Sequence, residues 1–397
     1  MKASQIEKIT IDWDSKDTEI MLNPRLEARE RHFLSPLFRY VPVLPGHIWV
    51  QSSGSTQFLN ESSKWIALSK QAFLISAQAV NEHLESTRTD RWGVALPLFH
   101  VGGLSIYART FLSGASLFEY TKAWNADSFY EWLTERQITL LSLVPTQLFD
   151  LVKAGHRAPK SLRAVVIGGA KLESKLAQQA WVLGWPVLAS FGMTELCSQI
   201  ATASLNSTFS DDLRVLSHVD VKTESDGLLQ IKSDALMTGY GQVGPEGPRW
   251  VTTELKNGYW KTKDQAQVKA RTNLKTTEIE IFLSIKGRMQ DFVKVKGEGV
   301  DMAALRSRFF EWALTEKIAM TIEEYTLIDV AHERDGARLV LAAEVKSKVR
   351  WDDVLKKWNG ICFPLERLEF RQIEKLPRSA VGKVLTEKLR ESLKASS

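Results

Sequence analysis

Cysteine is almost absent: Cys197 and Cys362 are the only two in a chain of 397 residues. Two distant thiols supply neither the paired spacing of a zinc site nor the bridges of a secreted disulfide framework, so a reducing cytoplasm is expected. Long hydrophobic runs are missing as well. No stretch reaches the roughly 18 uninterrupted apolar residues that carry a helix across a bilayer. The segment 1–17 is too rich in charge for the apolar core of a signal peptide, so neither a membrane span nor a leader is expected. Basic runs are lacking too, although the formal net charge is +5. The lysines and arginines are scattered, which argues against a nucleic-acid partner and suits small phosphate-bearing ligands. The chain also has no Walker A spacing, no HExxH, no GxSxG elbow and no CxxC pair, which sets aside P-loop, zinc-protease, serine-hydrolase and dithiol chemistry.

What is present begins with a rhythm. Five short apolar runs, Trp92 to Pro97, Ala115 to Tyr120, Thr139 to Val144, Arg163 to Gly168 and Pro186 to Phe191, recur every 23 or 24 residues. Between them, Ala126 to Gln137, Pro145 to Gly155 and Leu172 to Leu183 carry apolar residues at helical spacing. This alternation predicts an α/β protein with a largely parallel βαβ sheet covered by helices. Ser69 is placed to cap another amphipathic helix, whose face holds Phe73, Ala77, Val80 and Leu84. After about residue 205 the pattern shifts to short alternating runs broken by Gly and Pro, including Gly227 to Lys232 and Tyr240 to Gly247, an antiparallel β subdomain. From Arg288 onward, helices near Met302 to Ala313 and Trp351 to Trp358 alternate with strands near Tyr325 to Val330 and Leu339 to Val345. A small α+β unit is expected there. The predicted division is a large domain over 1–287, its β subdomain at about 206–287, and a small C-terminal domain over 288–397. The tail beyond Arg390 is expected to fray.

Several strings fall where this scheme puts ligands, at strand ends. Ser52-Ser53-Gly54-Ser55-Thr56 follows the strand-like His47 to Gln51, and its backbone N–H and hydroxyl groups suit phosphate oxygens, or else form a plain surface turn. Phe191-Gly192-Met193-Thr194-Glu195 ends another strand. There Glu195 is a hard oxygen ligand for Mg²⁺ or a helix cap, Thr194 a hydroxyl for phosphate, and Phe191 a flat face for a base. Gly168-Gly169-Ala170 leaves room for a ring against the backbone. Leu96-Pro97-Leu98-Phe99-His100-Val101-Gly102-Gly103 brings His100 to a strand end as a tunnel-lining or packing residue. Arg109, in an otherwise apolar segment, needs an anion, from a structural or a substrate carboxylate. Lys383 follows the Pro- and Gly-containing turn Leu376-Pro377-Arg378-Ser379-Ala380-Val381-Gly382, as a mobile functional lysine or a solvated charge.

In this order the strings resemble the motif series of the adenylate-forming superfamily of acyl-CoA synthetases, luciferases and peptide-synthetase adenylation domains, from Ser52 to about Leu389. Within it, Leu96 to Gly103, Ser142 to Leu148, Lys261-Thr262-Lys263-Asp264 and Lys296-Gly297-Glu298-Gly299-Val300 look most like o-succinylbenzoate-CoA ligases of menaquinone synthesis. The resemblance implies that fold, shortened at its amino-terminal subdomain, with a mobile lid and a partner, such as a second copy in a homodimer, over what is exposed. It implies ATP, Mg²⁺ and coenzyme A as the ligands beside a small-molecule carboxylate. Ser53, Gly54, Ser55 and Thr56 would hold the ATP phosphates. Gly168, Gly169 and Phe191 would frame adenine and Ala170 and Gly192 would join them in binding the nucleotide, with Thr194 at the α-phosphate and Glu195 on Mg²⁺. Asp264 would bind ribose and Arg288 the nucleotide; Gln290 would be the hinge, Gly297, Glu298 and Gly299 the thioester-forming segment, and Lys383 the transition-state lysine. His100 and Arg109 would meet the acid. A ligase for another aryl or fatty carboxylate, or a non-catalytic nucleotide binder, are the alternatives.

Overall fold

The structure is a computed structural model, and it describes residues 11–24, 37–51, 64–205, 207, 210, 212–244, 247–273, 277–288, 292–295, 298–318, 324–332, 335–379, 382 and 384–394. The phosphate-loop string 52–56, Gln290, Gly297 and Lys383 lie outside the described residues.

The chain opens with β1 (Glu19–Met21), β2 (His47–Gln51), β3 (Trp65–Ser69) and α1 (Lys70–His83). Ser69 caps α1 as expected, its hydroxyl accepting from the Ala72 amide at 3.0 Å. Lys70 is buried yet satisfied: Nζ pairs with Glu19 at 3.0 Å and donates to the Asp12 carbonyl at 2.7 Å, fastening the first strand to the helix.

The βα rhythm then appears as read. It comprises β4 (Arg91–Val94), α2 (Val101–Ser113), β5 (Ser116–Glu119), α3 (Ala126–Glu135), β6 (Leu140–Leu143), α4 (Pro145–Lys153), β7 (Ala164–Ile167), α5 (Ser174–Val182) and β8 (Val187–Met193). The strands from β4 to β8 are all parallel to their neighbours, in the order β8-β7-β6-β4-β5. Alternate residues serve opposite faces. Leu141, Leu143, Val165, Ile167 and Val187 pack with Phe129, Leu148 and Leu176 of α3, α4 and α5. Leu140, Ala164, Val166 and Leu188 pack on the other side with Val80 and Ile106 of α1 and α2. Burial on both faces is what turned these strands into continuous apolar runs rather than alternating ones.

The sheet does not stop at β8. A turn of 3₁₀ helix (Thr194–Leu196) leads to β9 (Ser198–Thr202), which returns antiparallel, followed by β10 (Leu213–Val215), β11 (Asp220–Thr223) and β12 (Leu228–Lys232). The hairpin β13 (Gly239–Gly244) and β14 (Gly247–Thr252) joins β3 in a second sheet, of order β1-β2-β3-β13-β14. The long strands β15 (Trp260–Thr272) and β16 (Ile279–Arg288) complete the first, giving eleven strands. The antiparallel part is therefore continuous with the parallel sheet and also shares strands with the amino-terminal one.

The last part comprises the hairpin β17 (Phe292–Val295) and β18 (Glu298–Asp301), α6 (Met302–Thr315), β19 (Tyr325–His332), β20 (Gly336–Glu344), α7 (Trp351–Ile361), β21 (Leu368–Ile373) and α8 (Thr386–Lys394). One face of the three-stranded sheet carries α6 and α7 through Phe309, Trp351 and Trp358. The other carries α8 through Leu389 and Leu393. This helix occupies the tail where fraying was expected from Arg390 on; Leu389 and Leu393 are buried, and Arg390 pairs with Asp329 and Glu387. Polar bonds link this part to the start of α5, among them Ser174 to Glu311 at 2.7 Å and Ser307 to Glu173 at 2.8 Å.

Candidate active site

In the strand order β8-β7-β6-β4-β5, the chain steps outward from β4 to β5 and then returns to the opposite side of β4. That reversal opens a crevice at the carboxyl ends of β4 and β6, the usual ligand position in an open α/β sheet. The segment after β4 holds Leu96 to His100, and the segment after β6 begins at Val144. Gly168, Gly169 and Ala170 follow β7, and Phe191 to Glu195 run from the end of β8 into the 3₁₀ turn. Four strand ends thus bring together four of the strings singled out in the sequence.

Glycine is required at several of these contacts. A Cβ on Gly192 would lie 1.9 Å from the Ser198 carbonyl oxygen, because β8 bulges there against β9. Gly169 has φ +80°, and its Cβ would meet Val144 at 3.3 Å, so the β6 and β7 ends touch. Ser190 donates to the Ile167 carbonyl at 3.0 Å and holds β8 against β7. Gly169, Ala170 and Gly192 are exposed and Phe191, Thr194 and Glu195 half-buried, so the strand ends form an open mouth. The Glu195 backbone is fixed by its carbonyl, which accepts from the Met237 amide at 2.8 Å.

Asp264 is buried on β15, directly across the ladder from Arg288 on β16. Its amide donates to the Thr262 hydroxyl at 3.1 Å, which sets the local turn of the strand. Glu298 and Gly299 sit in β18, with Gly299 opposite Lys294. Gly382, at φ +77°, gives its carbonyl to Arg378 at 2.5 Å, closing the turn before position 383.

His100 and Arg109 share α2. His100 is the N-cap residue, yet its ring caps nothing. Its Nε2 is buried without a partner, and burial pushes the imidazole down to about 4. Gly103 lets the helix sit on its own leader: a Cβ there would lie 2.4 Å from the Leu96 carbonyl. Arg109 is 1% exposed. Its Nη2 donates to Ser105 at 3.0 Å and to Ser198 at 3.2 Å, and its guanidinium lies 5.3 Å from the Trp92 ring centre. Among the described residues Nε and Nη1 have no partner, and no carboxylate comes within ion-pair distance. Burial pushes this guanidinium down to about 9. Of the two anions weighed for Arg109, the structural carboxylate is not found among the described residues.

Ser105, Ser198 and Trp92 were not legible as its neighbours. Only Ser105 carried a signal, standing one helical turn before the arginine; Ser198 arrives from another strand.

His83, His100 and His218 are all held below the ordinary imidazole value, the latter two at about 4, chiefly by burial. Such groups are neutral in the fold and charge on unfolding, so their stabilisation is complete above pH 6.5 and drains away as pH falls toward 4. Urea unfolding is expected to show a loss of about 2 kcal/mol for each of His100 and His218 between pH 7.5 and 5. A flat profile over that window would contradict their burial as neutral rings.

Comparison with known proteins gives the class first. Residues 62–240 match the family model described as AMP-binding enzyme. Over that stretch the chain is similar to AMP-binding enzymes, in line with the resemblance of its motif series. Curated relatives include 2-succinylbenzoate–CoA ligases. That of Staphylococcus epidermidis is 27% identical over 327 residues, 80% of this chain and 64% of its own length. That of Bacillus subtilis is 27% identical over 79% of this chain and 63% of its own, and one from Staphylococcus aureus reaches 32% over 57% and 44%. The chain thus spans less than two thirds of the length of these relatives. Among solved structures, the o-succinylbenzoate CoA synthetase of Bacillus subtilis with its acyl-adenylate intermediate superposes with a TM-score of 0.67 at 23% identity, covering 86% of this chain and 68% of that one. ATP-bound MatB from Rhodopseudomonas palustris gives 0.67 at 20%, covering 87% and 68%. These likenesses establish the fold. No described helix is long and apolar enough to cross a membrane.

Proposed function

We propose that the chain joins a carboxylic acid to coenzyme A through an acyl-AMP, and that the acid is o-succinylbenzoate. The observation that carries the reading is Arg109, a fully buried cation with two of its three nitrogens unpartnered among the described residues, bonded to Ser198, which pairs with Met193 at the end of β8. A buried guanidinium without a counter-charge is costly unless a ligand supplies the anion. A dicarboxylic aromatic brings two carboxylates, one to be activated and one for Arg109. A fatty chain would leave the cation unpaired.

In this reading Ser53 to Thr56 grip the ATP phosphates, and Gly168, Gly169, Ala170, Phe191 and Gly192 face the adenine. Thr194 orients the α-phosphate, while Asp264 and Arg288 hold the ribose and the nucleotide at the end of the β15–β16 ladder. Glu195 offers a single carboxylate, and among the described residues no group of three His, Cys, Asp or Glu side chains gathers to cage a metal. That donor set suits Mg²⁺, which takes most of its ligands from phosphates and water and neutralises phosphate charge. The neutral His100 presents an uncharged ring that neither pairs with nor protonates the acid. The free carboxylate attacks the α-phosphorus in line, pyrophosphate leaves, and Lys383 stabilises the charge spread over the attacking carboxylate and the α-phosphate. The part over 288–397, docked on α5 by polar bonds of the kind that domain interfaces make and break, then turns about Gln290. This brings Gly297 to Gly299 to the site, where the thiol of coenzyme A displaces AMP. The two cysteines are free, in keeping with a reducing cytoplasm as the setting, and a homodimer is proposed as the assembly.

The test is Lys383→Ala. Pyrophosphate release with Mg-ATP and o-succinylbenzoate is expected to fall about a hundredfold, while binding of a preformed acyl-AMP analogue is retained. Equal turnover by both proteins would remove Lys383 from the chemistry.

A further inference from the structure

We propose that Ser198 is a positioning residue which ties the guanidinium of Arg109 to the β8 strand end, so that acid and nucleotide bind cooperatively. The inference rests on the carboxylate reading of Arg109 given above.

The geometry restricts how that arginine can be held. Trp92 lies under the guanidinium at 5.3 Å, which favours the cation but gives it no fixed direction. Direction comes from hydrogen bonds, and among the described residues Nη2 alone makes them, to Ser105 and Ser198. Ser105 sits one turn earlier on the same helix and moves with it. Ser198 is the link to a different element. Its hydroxyl also accepts from Ser105 at 3.3 Å, so the three groups form one closed cluster.

Ser198 has no slack on its other side. It begins β9, pairs in register with Met193, and presents its carbonyl where a Cβ on Gly192 would lie at 1.9 Å. A displacement of residues 191–195 toward a bound nucleotide therefore moves Ser198, and Ser198 carries the guanidinium with it. Two hydroxyls that satisfy one nitrogen and leave two bare are a poor way to solvate a structural arginine. They are a good way to aim one.

The test is isothermal titration of o-succinylbenzoate, with and without a non-hydrolysable ATP analogue, on the natural chain, Ser198→Ala and Ser198→Thr. The natural chain is expected to bind the acid about tenfold more tightly when the analogue is present, the scale of one hydrogen bond to a charge. Ser198→Ala loses that enhancement, and Ser198→Thr, which keeps the hydroxyl, restores it. The same keto acid lacking its ring carboxylate is expected to bind all three proteins alike. Undiminished enhancement in Ser198→Ala, or equal weakening for both acids, would overturn the inference while leaving Arg109 as the anion partner. A natural chain that binds neither acid would instead overturn the carboxylate reading itself, and this inference with it.

Discussion

Arg109→Leu is expected to lower kcat/KM for o-succinylbenzoate about a thousandfold, the range seen when one partner of a buried, desolvated charge pair is removed. Most of the loss falls on KM, because the arginine meets the carboxylate that is not being activated and so binds ground state and transition state alike. The same substitution is expected to stabilise the ligand-free protein. Arg109 is buried with two bare nitrogens and no ion-pair partner among the described residues, whereas leucine fills the space beside Trp92 without a desolvated charge. A gain of about 1–4 kcal/mol is the scale for replacing buried ionic groups by apolar ones. A merely structural arginine would give the opposite sign. Thermal melts beside steady-state kinetics separate the two cases: lower stability with unchanged KM would assign Arg109 to the scaffold.

Gly192→Ala is the second large effect. The added methyl would meet backbone on three counts, the Ser198 carbonyl oxygen at 1.9 Å, its carbon at 2.7 Å and the Gln199 Cα at 2.9 Å. None of these can swing aside as a side chain would, so β8 and β9 must separate at the bulge. We expect at least about 3 kcal/mol of destabilisation and loss of pyrophosphate release by more than about a hundredfold in the protein that still folds. Gly168→Ala provides the control. Its Cβ would meet only the Ser190 hydroxyl at 3.2 Å, which can give way. Equal melting temperatures for the two variants would refute the steric account.

The parallel half was legible because its strands are buried on both faces. Leu140 to Leu143 is buried throughout with Ser142 its one polar residue, Ala164 to Ile167 is apolar without interruption, and the helices between the strands carry a clean three- and four-residue spacing. The antiparallel strands were legible as strands but not as one sheet with the parallel ones. Pairing of β13 with β3 joins residues far apart in the chain, and no local pattern announces it, while β9 folds back on β8 across the short Thr194–Leu196 turn. The C-terminal helix escaped notice because, among the described residues, Leu389 and Leu393 are its only deeply buried anchors in a charged segment.

The site divides the same way. Gly168, Phe191, Thr194 and Glu195 lie at strand ends as expected, because strand ends are predictable once strands are. Arg109 was found because a lone charge in an apolar helix needs a reason. The serines that aim it were missed, since a hydroxyl's partner across two elements leaves no mark on the sequence. The Gly192 requirement was visible only as a glycine in a motif; its cause, the Ser198 carbonyl, is a matter of packing.

The measurement that bears most directly on the central claim is mass spectrometry of the purified chain mixed with Mg-ATP, coenzyme A and o-succinylbenzoate. AMP and the succinylbenzoyl thioester are expected to appear together in equal amounts, and to depend on Arg109. Absence of both products with this acid and with a panel of other aryl and fatty acids, from a chain that still binds ATP, would contradict the account and leave a nucleotide-binding protein in its place.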